Sequence, residues 1–76
     1  MVFNVKLSNS RKVSEFVGIA NSFPCTIKAF SDKYSVNAKS IMGMLALDLG
    51  KEIKIEIEDN FADSFGKAIE EFITEK

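Results

Sequence analysis

Residues 52–58 read Glu-Ile-Lys-Ile-Glu-Ile-Glu, and this strict alternation decides the fold class. A period of two predicts a strand that turns Ile53, Ile55 and Ile57 to one side and charged side chains to the other. A strand of this kind belongs to a sheet with one buried face and one solvent-exposed face. The stretch therefore predicts an antiparallel sheet that helices cover on one side, and it disfavours a β-sandwich.

Three further strands are predicted from alternation and from turn residues on either side. The four predicted strands span residues 2–7, 25–30, 34–36 and 52–58. The polar turn at residues 31–33 should join the second and third strands as a hairpin. Cys25 is expected to be a small apolar residue at the start of its strand. Because it is the only cysteine, we expect no disulfide framework and no paired-cysteine metal site.

Between the strands, apolar residues recur three times at helical spacing. The predicted helices span residues 10–22, residues 39–49, and a last segment capped by Asp59 or Asn60. Pro24 ends the first helix, and Gly50 is expected as the C-cap of the second. The buried stripe of the last helix is assigned to Phe61, Phe65, Ala68, Ile69, Phe72 and Ile73. Strand, helix, strand, strand, helix, strand, helix is the order of an α+β open-faced sandwich.

The second predicted helix carries more apolar residues than one buried stripe requires. Its buried face is assigned to Ser40, Gly43, Met44 and Leu47. Gly43 supports this assignment because it permits close approach of another backbone. The opposite face comprises Ile41, Met42, Leu45 and Leu49. With Asp48 at its margin, this face is expected to be an exposed apolar patch that marks a partner surface, although the pattern also allows both sides to be buried.

Ser40 lies at or next to the start of this helix, where unpaired N–H groups and the helix dipole favour negative charge. A phosphate on its hydroxyl would be stabilised there. Serine is also a common N-cap residue, and the residues alone favour that structural role. Lys39, next to Ser40, has two interpretations: it steadies such a phosphate, or it is simply exposed at the helix start, which is the commoner case.

Length and composition exclude several function classes. Residues 1–76 leave room for one small domain, and mixed charges that sum to -1 give no basic field for nucleic acid or membranes. The chain shows neither a signal sequence nor a membrane-length apolar run, so a cytoplasmic location is expected. Catalysis at Cys25 or Asp48 is disfavoured because no histidine is present to activate a nucleophile. We expect no enzyme activity, no cofactor and no metal.

The run Ser35-Val-Asn-Ala-Lys-Ser-Ile-Met-Gly43 closely resembles the hallmark around the regulatory serine of HPr, the histidine-containing phosphocarrier of the bacterial sugar phosphotransferase system. This resemblance implies a four-stranded antiparallel sheet with three helices on one face, in the element order already predicted. It also implies that Ser40 is phosphorylated from ATP by a dedicated kinase/phosphorylase. The docking patch that it implies consists of Ile41, Met42, Leu45 and Leu49.

The phosphocarrier chemistry of that family requires a histidine, and this chain has none. A count without gaps places Asn9 at the histidine's position, in Asn9-Ser-Arg-Lys12 where the family typically reads His-Ala-Arg-Pro. Arg11 remains at the arginine that would steady the phosphate. A shift of one residue moves the equivalence to Ser8 or Ser10, but no shift supplies a histidine. The resemblance is therefore to histidine-lacking HPr-like paralogues such as Crh, the catabolite-repression HPr.

Such paralogues imply a regulatory role in the phosphotransferase system and carbon catabolite repression, switched by phosphate on Ser40. The implied partners are HPr kinase/phosphorylase and a LacI-type catabolite regulator or a metabolic enzyme, contacted through Ile41, Met42 and Leu45, with Arg11 as a further contact. No direct contact with nucleic acid or membrane is expected. An exposed edge strand would allow a weak dimer besides the monomer. The alternative is a phosphorylation-independent binding module, whose complexes would be indifferent to Ser40→Ala.

Overall fold

The computed structural model describes residues 1–32, 34–47 and 49–74. Its elements are β1 (Val2–Lys6), α1 (Ser10–Asn21), β2 (Lys28–Phe30), β3 (Ser35–Asn37), α2 (Ile41–Leu45), β4 (Glu52–Glu56) and α3 (Asp59–Ala68). A short 3-10 helix at Glu70–Phe72 follows α3. The predicted order of strands and helices is confirmed.

The four strands form one antiparallel sheet in the order β1-β4-β2-β3. Strand β4, in which isoleucine and charged residues alternate, lies in the interior of this sheet and pairs with both β1 and β2. Ile53, Ile55 and Ile57 are at most 3% exposed, while the charged residues between them are exposed. The predicted hairpin of β2 and β3 is present as well.

The core lies between the apolar face of the sheet and the three helices. Phe65 of α3 is at its centre, because its ring lies edge-on to three others, with centroid distances of 6.0 Å to Phe3, 6.0 Å to Phe16 and 5.2 Å to Phe23. Edge-to-face pairs of this kind contribute about 0.5–1.5 kcal/mol each beyond the area they bury. These contacts join α1 and α3 to β1 on one face of the sheet, while the charged residues of β4 are exposed on the other face.

The two edges of the sheet differ. The outer edge of β1 is covered, since the Thr74 N–H donates to the Asn4 carbonyl at 2.9 Å and Ile73 forms a bridge with Val5. At the other edge, β3 is three residues long and pairs within the described chain only with β2. A short edge strand offers little template for pairing with a second chain.

Helix α2 is shorter than predicted. It ends at Leu45 because the chain tightens into i→i−3 bonds, from the Ala46 N–H to the Gly43 carbonyl at 3.1 Å and from the Leu47 N–H to the Met44 carbonyl at 3.2 Å. Gly50 is therefore not the C-cap of this helix. Its φ of 86° serves a turn into β4. The position expected for Asp48 lies outside the described residues, as does Lys33 of the predicted turn.

Strand β2 begins three residues later than predicted. Its register with both neighbouring strands ends at Lys28, so residues 25–27 have no strand beside them, although the Ile27 carbonyl accepts one bond from the Ala38 N–H at 2.9 Å. Cys25 is consequently not in a strand. It is nevertheless buried, as a small apolar residue, in the connection after Pro24.

The start and end of α3 also differ from prediction. Glu58 occupies the N-cap without a side-chain hydrogen bond, and Asp59 and Asn60 are already helical. The Asp59 carboxylate instead accepts from the Met1 amino group at 3.0 Å. Ala68, predicted to be buried, is exposed, because the helix tightens there into the 3-10 helix and the buried side continues through Ile69 and Phe72.

No helix within the described ranges combines the length and the apolar character needed to cross a membrane.

Candidate docking site around Ser40

Ser40 is the N-cap of α2. Its backbone is extended, with φ −98° and ψ 113°, and its Oγ accepts a hydrogen bond from the Gly43 N–H at 3.1 Å. Serine is among the residues preferred at this position because its side chain satisfies one of the unpaired N–H groups of the first turn. The predicted location at the helix start is confirmed, with the side chain half-buried.

The predicted buried face of α2 is confirmed at its apolar positions. Met44 is fully buried and Leu47 is 3% exposed. A Cβ on Gly43 would lie 3.3 Å from the Cβ of Val36 in β3, which is closer than ordinary van der Waals contact. Gly43 therefore permits the close approach between α2 and the sheet that its position predicts.

The opposite side of α2 and of the turn after it forms the apolar patch, defined by Ile41, Met42, Leu45 and Leu49. Their exposed fractions are 41%, 77%, 41% and 37%, respectively. The alternative in which the helix buries both sides is thereby excluded. The other large apolar residues that are exposed in the described chain, Met1, Val2 and Tyr34, lie on different segments. The structure thus leaves four large apolar residues exposed within nine positions, as the sequence pattern predicts.

Asn9 and Arg11 lie at the start of α1. Asn9 is its N-cap, and its Oδ1 accepts from the Lys12 N–H at 2.9 Å. Arg11 is exposed, with its Nε 3.9 Å from a carboxylate oxygen of Glu15. The Gly50 N–H donates to the Leu7 carbonyl at 2.8 Å, so the turn that follows the apolar patch lies against the segment that leads into α1. Arg11 and the patch thus belong to neighbouring segments, whereas Ser40 lies at the other end of α2.

The start of α1 has no group that can carry a phosphoryl group as an imidazole does. The amide nitrogen of Asn9 is a hydrogen-bond donor, and the chain contains no histidine. Within the ranges that the structure describes, no three His, Cys, Asp or Glu side chains converge as a metal site. The chemistry available here is hydrogen bonding and ion pairing.

Asn21 and Lys39 hold the segment before Ser40 through hydrogen bonds that the sequence pattern does not predict. The Nδ2 of Asn21 donates to the Lys39 carbonyl at 3.0 Å, and the Nζ of Lys39 donates to the Phe23 carbonyl at 2.6 Å. Lys39 is therefore half-buried and bonded, and the expectation that it is simply exposed is wrong. No local spacing signals these bonds, because their partners are 18 and 16 residues apart in the chain.

Residues 5–75 match a family model described as the PTS HPr component phosphorylation site. The chain belongs to the HPr family. The resemblance carried by residues 35–43 is confirmed at the level of the family, and with it a relation to the phosphotransferase system.

Solved structures of HPr proteins have the same fold. The phosphocarrier protein HPr of Bacillus anthracis is 31% identical, with a TM-score of 0.74, and the match covers 97% of this chain and 96% of that one. HPr-C-His of Thermoanaerobacter tengcongensis is 28% identical, with a TM-score of 0.73 over 93% and 85% of the two chains. The Mycoplasma histidine-containing phosphocarrier protein is 25% identical, with a TM-score of 0.77 over 99% and 100%. None of the curated proteins matches.

Proposed function

We propose that this HPr-family chain is a regulatory protein of the phosphotransferase system and of carbon catabolite repression, switched by a phosphate on Ser40. The observation that carries the proposal is a serine at the N-cap of α2, beside an exposed apolar patch, in a chain without histidine. Without a histidine, this chain cannot carry a phosphoryl group on an imidazole. Membership of the HPr family, together with the sequence around Ser40, supports regulation through a phosphoserine.

The phosphate would arrive from ATP through an HPr kinase/phosphorylase. The Ser40 oxygen bonds to the γ-phosphorus, ADP leaves, and a base of the kinase takes the hydroxyl proton. The phosphoserine carries a charge of about −1.5 to −2 at neutral pH. Its position next to the Gly43 N–H and the start of α2 favours negative charge.

The switch consists of an apolar contact that the phosphate strengthens. Ile41, Met42 and Leu45 dock on the partner through apolar area, and an arginine or lysine of the partner forms a charge-assisted pair with the phosphate. We assign the partner role to a LacI-type catabolite regulator or a metabolic enzyme in the cytoplasm. Leu49 extends the apolar contact, and Arg11 adds an ionic contact from the start of α1.

The test is intact mass after incubation with an HPr kinase/phosphorylase and ATP, with Ser40→Ala in parallel. We expect one added phosphate on the unmodified chain and none on the variant. A third reaction with phosphoenolpyruvate and enzyme I should add no phosphate. Labelling in that third reaction would contradict the absence of carrier chemistry, and no phosphate from ATP would remove the proposed switch.

A second candidate is a binding module that uses the same patch without any phosphate. The exposure of Met42, at 77%, favours this candidate as well as the first, because an exposed patch binds before any modification. Titration of the regulator or enzyme with unphosphorylated, phosphorylated and Ser40→Ala protein separates the two. Equal affinities for all three would establish the constitutive module, and tighter binding of the phosphorylated form alone would establish the switch.

A further inference from the structure

Lys39, the residue immediately before Ser40, is bonded through all three of its polar groups. Its backbone N–H donates to the Asn37 Oδ1 at 2.9 Å, its carbonyl accepts from the Asn21 Nδ2 at 3.0 Å, and its ammonium donates to the Phe23 carbonyl at 2.6 Å. The next amide is held too, since the Ser40 N–H donates to the Asn37 carbonyl at 3.0 Å. The backbone on the N-terminal side of the serine is thus fixed bond by bond.

Two of these bonds come from the C-terminal end of α1. Asn21 is the last residue of that helix, and its Nδ2 also donates to the Val17 carbonyl one turn back, at 2.9 Å. Phe23 is anchored in turn, because its ring lies edge-on to Phe61 at 6.4 Å and to Phe65 at 5.2 Å. The bonds therefore connect the Ser40 segment to the aromatic core.

We propose that Asn21 and Lys39 are positioning residues that clamp the Ser40 turn to the end of α1, so that the hydroxyl and the first turn of α2 are presented to a kinase in one fixed arrangement. This inference rests on the proposed function. A helix of five residues is too short to be stable in isolation, so its N-cap conformation must be imposed from outside. The ammonium suits this role, because a cation is favoured at the C-terminal end of a helix.

The experiment uses Asn21→Ala, Lys39→Met and the double variant. Alanine removes both hydrogen bonds that the Asn21 side-chain amide donates, at an exposed site. Methionine keeps the apolar stem of Lys39 without the ammonium. The matched controls are Ser22→Ala, which removes a bond from Oγ to the Ile19 carbonyl at 2.6 Å in the same turn, and Lys54→Met on the open face of the sheet. The Ser22 hydroxyl bonds within α1 and Lys54 lies in β4, so neither control removes a hydrogen bond to Lys39.

The first readout is amide hydrogen exchange followed by NMR on the unphosphorylated protein. In the double variant, we expect exchange of the Ser40 and Gly43 N–H groups to accelerate by about tenfold. The amides of β4 should keep their rates, which shows that the variant is folded. Unchanged exchange at Ser40 and Gly43 would overturn the clamp, whatever the kinase does.

The second readout is the rate of phosphorylation by an HPr kinase/phosphorylase with ATP. We expect kcat/KM to fall by about fivefold or more in the double variant, because only the clamped fraction of molecules can be phosphorylated. In the two controls, kcat/KM should stay within about twofold of the value for the unmodified chain. Faster exchange with an unchanged kcat/KM would overturn the positioning role. If the unmodified chain accepts no phosphate, the proposed function fails, and the exchange experiment still decides whether the clamp exists.

Discussion

The Ser40 hydroxyl has two roles, one structural and one proposed, and different substitutions can test them separately. It caps α2 through the Gly43 N–H at 3.1 Å, and it is the proposed acceptor of phosphate. Aspartate is as good an N-cap as serine, whereas alanine cannot cap. The cap can therefore be kept while the phosphate acceptor is removed.

We expect Ser40→Ala to lower the free energy of unfolding by about 1 kcal/mol and Ser40→Asp to change it by less than about 0.5 kcal/mol. Urea unfolding followed by circular dichroism measures both. Ser14→Ala, at an exposed position of α1, is the matched control and should be neutral or slightly stabilising. An aspartate variant as unstable as the alanine variant would show that the cap does not stabilise α2.

Two helical glycines should respond in opposite directions to alanine. A Cβ on Gly18 of α1 would meet nothing within 4 Å, whereas a Cβ on Gly66 of α3 would lie 3.0 Å from a ring carbon of Phe3. We expect Gly18→Ala to stabilise the protein by about 0.5–1 kcal/mol. Gly66→Ala should forfeit that gain and destabilise, because the Phe3 ring is held against Phe65 at 6.0 Å and cannot move freely. Thermal unfolding of the two variants side by side gives the sign of each, and equal stabilisation by both would refute the contact.

At the scale of single residues, the sequence predicts what depends on local chemistry. The cap at Ser40 and the close approach at Gly43 follow from residue type and position. The bonds of Asn21 and Lys39 do not, because each joins a side chain to a backbone carbonyl in a different element. The sequence also could not show that Asp59 does not cap α3, because its carboxylate accepts a hydrogen bond from an amino group 58 residues away.

Helix α2 has two faces with opposite energetic roles, and two methionines separate them. Met44 is fully buried, and Met42 is 77% exposed. We expect Met44→Ala to cost about 2–5 kcal/mol, through lost burial and the cavity it leaves. Met42→Ala should change stability by less than about 0.5 kcal/mol.

Chemical denaturation of both variants measures the difference in stability. Binding of the Met42 variant to a partner should weaken by about tenfold if this side chain is an anchor of the interface. A Met42 variant that binds as the unmodified chain does would exclude this residue from the contact.

Elements were predictable where one pattern repeats for long enough. Strand β4 and helix α1 follow directly from their periods. The length of α2 did not follow, because its apolar residues continue to Leu49 while the backbone turns back so that the Gly50 N–H reaches Leu7. The start of β2 depends on where its neighbours stop, which no property of residues 25–27 records. The apolar patch was identified by helical spacing, and the structure was needed to decide between an exposed patch and a helix buried on both sides.

For the whole molecule, stability depends on the rings around Phe65. A domain of 76 residues is stable by about 4–11 kcal/mol, at roughly 0.05–0.15 kcal/mol per residue. We expect Phe65→Ala to cost about 3–5 kcal/mol and so to leave a large unfolded fraction at moderate temperature. Phe61→Ala should cost clearly less, because Phe61 is half-buried and meets only the Phe23 ring among the described rings.

Guanidinium unfolding followed by circular dichroism compares the two variants. Equal losses of stability would contradict the central position assigned to Phe65. The fold of the whole chain was predictable from element order. The proposed function rests on the family resemblance, because neither charge nor residue type names a partner.

The position of β4 also has a consequence for synthesis of the chain. Ribosomes deliver the strands in sequence order, yet β4, the last of them, lies between β1 and β2. Until residues 52–56 have emerged, β1 has no neighbour in the sheet, because its register runs from Val2 with Glu56 to Lys6 with Glu52. A nascent chain that stops at Gly50 can hold only the hairpin of β2 and β3, and a lone hairpin is marginal in water. We therefore expect the protein to fold late and cooperatively, when its interior strand arrives.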